Sequence, residues 1–390
     1  MKKSLHLGAL AGVAALMLTG CQSAGEPASA PSPEAEPAGS SRVVIGSEGG
    51  VAVLDATTLE VLDTFDTEAF VRLNPAGDGR HAVVTTSEGF QFLDVQDPEL
   101  TDLVVPAAAA GHVVAHAGLT VLYDDATSDT TIFDSAELAA RGDSLPEPEV
   151  IDGVTAHHGV SVVLEDGSLL TTVGDESGRS GVRQTDAAGD ELAVNTDCPG
   201  VHGEGTAEGE TVVFGCENGA LVFQDGAFTK LTSPDEYGRI GNAYVSETSP
   251  LVVMDYKDDP DAEGYLLHAI ALVDTAVKTL EKVELPDGVE YTYRGVGRGP
   301  AGEAVMIATD GNLHTIDPAT GEITDSLQVV DPWEGPTEWQ DPHPAVKVFG
   351  DIAYVTDPAD SELVAVDLTT GEIVGAVQLD EVPNEIAVVG

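Results

Sequence analysis

Short runs of Val, Ile, Leu, Phe and Tyr recur along the chain, separated by turn-forming pairs such as Glu88-Gly89, Asp166-Gly167, Asn218-Gly219 and Asp310-Gly311. Runs of this length, bounded by Gly, Asp and Asn, are strands joined by tight turns. Beyond the first twenty residues no stretch carries the long 3.6-residue apolar period of a helix. The strand runs repeat every 40 to 45 residues or so, the period of a four-stranded propeller blade. The clearest copy is the last, HPAVKVFG, DIAYVTDPAD, SELVAVDLTTG and EIVGAVQLD, with a turn signal between successive strands. Earlier copies begin near Tyr293, Ile240, Gly200, Val154, Gly111 and Phe70.

The two ends complete one more blade. C-terminal NEIAVVG reads as an innermost strand without its blade, and RVVIGSEGG, VAVLDATTL and EVLDTFD as three strands without an innermost one. Joining them closes the ring and removes two exposed edges. The pattern therefore predicts an all-β propeller of eight four-stranded blades over residues 42–390, with seven blades as the alternative.

The first residues change the picture of where the protein resides. Lys2 and Lys3, an apolar run from Leu5 to Leu18, and Leu18-Thr19-Gly20-Cys21 form a lipoprotein signal peptide over residues 1–21. Cys21 would carry the lipid and hold the protein to the outer face of the cytoplasmic membrane. Residues 22–41 are Ala, Pro, Ser, Glu and Gly with almost nothing to bury, and read as a disordered tether. Of 390 residues, 68 are acidic and 16 basic, a formal net charge of -52. Such a field excludes nucleic acid, and leaves the lipid as the only membrane contact. The chain is expected to be monomeric.

Candidate chemistry resides in the ten histidines. AHAG (115–118), AHHG (156–159) and VHGE (201–204) fall at similar places in three successive blades, bringing His116, His157 or His158, and His202 toward the central channel. Three imidazoles and a carboxylate satisfy tetrahedral Zn2+. Glu204, two residues past His202, is one candidate fourth ligand. Asp341 and His343, in a proline-stiffened loop leading into the last blade, are others, and His112 should lie nearer a channel mouth than His116. If GEGTAEGE turns near Ala207, antiparallel partners sum to about 414, which opposes Cys198 to Cys216 as a disulfide and His202 to Val212. The acidic stretch DYKDDPD (255–261) lacks the spacing of an EF-hand loop and reads as a solvated turn. No nucleophile elbow, phosphate loop or HExxH helix is present, so no catalytic residue is assigned. A metal-free interaction scaffold and a metal-assisted hydrolase or lactonase are the competing readings.

NTDCPGVHGEG followed by VVFGCENG, the earlier TAHHGVSVVLEDG, and the lipobox before a propeller-length chain together resemble the AztD zinc metallochaperones. That resemblance implies an exported propeller that holds zinc on inner-strand residues and hands it to the solute-binding protein of a zinc ABC transporter. It also implies a Cys198–Cys216 disulfide. The His-rich mobile N-terminal segment found in some of that family has no counterpart in residues 22–41, which contain no histidine.

Overall fold

The computed structural model describes residues 40–142, 144–175 and 177–390. The signal peptide, Cys21 and nearly all of the tether lie outside the described residues. From Arg42 onward the chain forms eight four-stranded antiparallel sheets. They are the eight blades of a propeller, which settles the count against seven.

Blade 1 joins the two ends of the chain. Its innermost strand is Glu385–Val389, paired antiparallel to Arg42–Ser47 with Arg42 opposite Val389, and Gly50–Asp55 and Val61–Asp66 complete it. The innermost strands of blades 2 to 8 are Arg72–Pro75, Ala110–His116, Ser161–Val163, His202–Ala207, Ala243–Tyr244, Val296–Arg298 and Val346–Phe349. Each runs along the channel before its blade meanders outward.

The near-continuous apolar runs of the middle strands, such as Thr211–Cys216 and Ala269–Asp274, follow from burial on both faces between neighbouring blades. Each junction has its own apolar cluster. Val44, Val53, Leu73 and Val84 pack blade 1 on blade 2, and Val213, Val222, Val252 and Met254 pack blade 5 on blade 6. The junction of blades 3 and 4 is the thinnest, with only Val121, Ile132, Val163 and Leu169 fully buried. Hydrogen bonds take over there, among them Thr130 to Ser161 at 2.8 Å.

The turns explain part of the acidity. Asp55, Asp94, Asp274 and Asp367 each close a strand and accept backbone N–H groups two residues on, at 2.8 to 3.0 Å. A short side chain that mimics a turn carbonyl is favoured at such positions.

Three departures from the sequence reading bear on the site. A seven-residue helix, Ser135–Arg141, interrupts blade 3, capped by Asp134 accepting from Glu137 N–H, in a stretch too short to show a helical period. The innermost strand of blade 4 begins at Ser161 rather than near Val154, because residues 154–160 are irregular. In blade 5 the turn falls at Glu208–Glu210 rather than at Ala207, so Glu204 faces Phe214 and His202 faces Gly215, not Val212. The Cys198–Cys216 disulfide is nevertheless formed, with Cα atoms 4.9 Å apart. Cys198 reaches Cys216 from the connection before the strand and not from a cross-strand pair.

Candidate metal centre

His112, His158 and His202 come from three consecutive blades and offer nitrogen atoms that all lie within 4.8 Å of one another. His112 is the third residue of its inner strand, His202 the first of its own, and His158 sits on the irregular segment before Ser161. Since inner strands start at one end of the channel, the three rings converge at that mouth. Their centroids are 5.1 to 5.3 Å apart.

Two of the rings are oriented by partners on their far nitrogens. His202 Nδ1 donates to the Gly241 carbonyl at 2.6 Å. His158 Nδ1 lies 2.6 Å from Asp125 Oδ2, and Asp125 Oδ1 accepts from Gly159 N–H at 3.2 Å. The carbonyl can only accept, so His202 carries its proton on Nδ1, and Nε2 is a bare lone pair. Burial, then the neighbouring His112 ring, pulls His202 down to about 2, so it is neutral. Its Nε2 faces His158 Nε2 at 3.0 Å. With His158 also donating through Nδ1, two lone pairs point at each other. Such a contact is repulsive unless a cation lies between the nitrogens, either a proton on His158 or a metal ion. Tetrahedral zinc with bonds of about 2.0–2.1 Å holds its ligand atoms about 3.3 Å apart. The donor set and spacing fit such an ion.

Local sequence builds this geometry through glycines beside the histidines. Gly203 has φ +61°, and a Cβ there would sit 2.1 Å from the Gly241 carbonyl that holds His202. It forms the bulge between His202 and Glu204. A Cβ on Gly111 would sit 2.4 Å from the Asp125 carboxylate that holds His158.

Of the residues expected in a metal site, His158, His202 and His112 are brought together, and Glu204 adjoins them with Oε2 3.5 Å from His112 Nδ1. His116, four residues further along its strand than His112, points to the other end. Its Nε2 donates to Glu210 Oε1 at 3.0 Å. Aligning AHAG with AHHG and VHGE thus matched the wrong histidine of blade 3; GHVV is the equivalent segment. His157 faces away from its neighbour into the junction of blades 3 and 4. Its Nδ1 donates to the Thr155 carbonyl at 2.7 Å, and its Nε2 accepts from Tyr123 Oη at 3.2 Å and Thr172 Oγ1 at 3.0 Å. Both nitrogens are occupied, and the anchored ring fixes the segment that presents His158. Asp341 and His343 do not line the cavity shared by the three histidines. His343 is buried and stacked near Trp333, with Nδ1 donating to the Asp341 carbonyl at 2.7 Å.

Asp125 was not found from sequence. Asp124 already fills the turn position of blade 3, accepting from Ala126 N–H at 2.9 Å, so Asp125 is surplus to the turn. That surplus acid, together with glycine next to each converging histidine, is the signal the sequence carries.

A second trio, Asp258, His268 and Glu284, also lies within ligand reach. The Lys282 ammonium occupies it, 2.6 Å from both Asp258 Oδ2 and Glu284 Oε1 and 3.2 Å from Asp235 Oδ2.

No family model matches the chain. The zinc chaperone AztD of Citrobacter koseri is 26% identical over 362 residues, covering 87% of this chain and 84% of that protein. The chain is similar to AztD. Two solved structures of Citrobacter koseri AztD, one of them the apo form, align with a TM-score of 0.73 at 23% identity, over 90% of this chain and 98% of theirs. At that identity the structural likeness to AztD shows the propeller fold. Dihydro-heme d1 dehydrogenase NirN, at 13% identity and a TM-score of 0.57 over 92% of this chain and 77% of its own, shares the fold alone.

Proposed function

We propose that the protein is an extracytoplasmic zinc chaperone that holds one Zn2+ between His112, His158 and His202 and delivers it to the solute-binding protein of a zinc ABC transporter. The observation that carries this reading is the opposed pair of imidazole Nε2 atoms, each oriented from behind by an acceptor, as zinc-binding histidines commonly are. Glu204 is the candidate fourth ligand. The similarity to AztD supports zinc as the cargo, and the position of the cluster at a channel mouth suits release to a docked protein. The lipoprotein signal over residues 1–21, with lipidated Cys21 and the tether 22–41, supports anchoring on the outer face of the cytoplasmic membrane.

Transfer is tested with zinc-loaded mature protein mixed with the metal-free solute-binding protein of such a transporter. Direct delivery predicts a rate that rises with acceptor concentration and exceeds spontaneous zinc loss to a small chelator. A rate equal to spontaneous loss would leave storage without delivery.

A further inference from the structure

The three histidines occupy one wall of a cavity of about 980 Å³, and the facing wall has a different character. Arg72 begins the inner strand of blade 2, Lys347 is second in that of blade 8, Arg294 lies in the turn before that of blade 7, and Glu385 begins that of blade 1. All four line the same cavity, with Trp339 and Tyr293 beside them. Glu385 is shared, with Oε2 3.2 Å from Arg72 Nε and Oε1 2.8 Å from Arg294 Nη2. Arg294 is otherwise saturated, donating to Asn384 Oδ1 at 2.6 Å and to the Trp339 carbonyl at 3.2 Å. Arg72 lies 5.6 Å over the Trp339 ring and has no other ion pair among the described residues. Lys347 is open to the cavity and makes no ion pair among the described residues.

Three cations thus face one carboxylate. In a chain with 68 acids and 16 bases this balance is inverted, and it extends around the cavity: Arg239 and Lys257 make five bases in the lining against four acids. Enclosed charge of one sign is costly without a counter-charge. Surrounding protein already pulls the Lys347 ammonium below its usual range by desolvation. The anionic exterior does not supply the counter-charge, because at physiological salt its field decays over about 8 Å. Glu385 alone does not balance these three cations, so a small anion entering the cavity meets a net positive wall.

We infer that Lys347 and the free edge of the Arg72 guanidinium form a binding site for a small polyvalent oxyanion, a di- or tricarboxylate or a phosphate, in the channel opposite the histidine cluster. Arg presents a planar fork and Lys a point charge, and both match such oxygens. The volume admits a molecule of that size, and the site stands whether or not the histidines hold zinc.

The test is calorimetric titration of citrate and, separately, inorganic phosphate into mature protein stripped of metal on a chelating resin, at low and physiological salt. The expected result is saturable binding of one anion per chain, weakened by salt, with the tighter of the two naming the class. Lys347→Gln should weaken it about tenfold or more, the effect of losing one charged contact. Lys347→Arg should retain it, and His158→Ala, on the other wall, should leave it unchanged. Because Lys347 makes no ion pair among the described residues, its substitution leaves the ion pairs of the propeller intact, which an unchanged melting temperature verifies. No saturable binding of either anion, or binding that Lys347→Gln leaves untouched, overturns the site.

Discussion

His158 Nε2 and His202 Nε2 face each other at 3.0 Å, each ring held from behind, one by the Asp125 carboxylate and the other by the Gly241 carbonyl. From this relationship follow the consequences of changing what holds the rings, what clamps their strands, and what protonates them.

Asp125→Asn keeps a hydrogen-bond acceptor for His158 and removes the charge. Loss of a second partner of this kind typically costs 10- to 100-fold in metal affinity. A zinc competition titration should show that loss with the thermal unfolding of the metal-free protein little changed.

Gly203→Ala places a methyl group against the Gly241 carbonyl and in a left-handed backbone conformation. Relief requires His202 to lose its anchor. Zinc affinity should fall by at least tenfold, and melting should drop by several degrees, a loss of about 1–3 kcal/mol. Gly209→Ala, also left-handed but in open space at the far turn of the same blade, should lower melting without the loss in affinity.

The propeller and its closure were legible because burial between blades imposes short apolar runs on the middle strands, and turns demand Gly, Asp or Asn at fixed offsets. The histidine cluster was legible only in part. His202 and His112 were named and His158 was left as one of the pair His157 or His158, but AHAG drew attention to His116, since a histidine's height in the channel depends on where the strand starts, and in blade 4 that start is shifted by the irregular 154–160 segment. Likewise the cysteine pair was right while the register was not. A 3₁₀ turn and the Gly203 bulge both change the pairing count, and neither has a strong local signal.

Metal-free protein should lose stability as the pH falls below about 6.5. His202 is lowered to about 2 and His343 to about 4 in the fold, the latter chiefly by burial and then by Arg294, whereas in the unfolded chain both titrate near 6.5. The unfolded state therefore binds more protons between 6.5 and 4, and stability present above 6.5 declines through that window. Melting temperature measured at pH 7.5, 6, 5 and 4 should fall at each acid step. Excess zinc should raise the melting temperature at pH 7.5, because it binds the folded chain and not the unfolded one.

Cys198 and Cys216, 18 residues apart, clamp the loop that carries His202. Replacing both by Ser should cost about 3 kcal/mol in chain entropy. Denaturant unfolding gives that figure, and zinc titration of the variant should show weaker binding without loss of the one-to-one stoichiometry.

Zinc titration of the mature, tag-free chain beside His202→Ala, His112→Ala and His116→Ala tests the central claim most directly. The account predicts one tightly bound Zn2+ per chain, lost or weakened at least a hundredfold in His202→Ala and His112→Ala and retained in His116→Ala, whose ring pairs with Glu210 at the other end of the channel. Undiminished zinc binding in His202→Ala and His112→Ala, or no zinc bound by the unaltered chain, would contradict it.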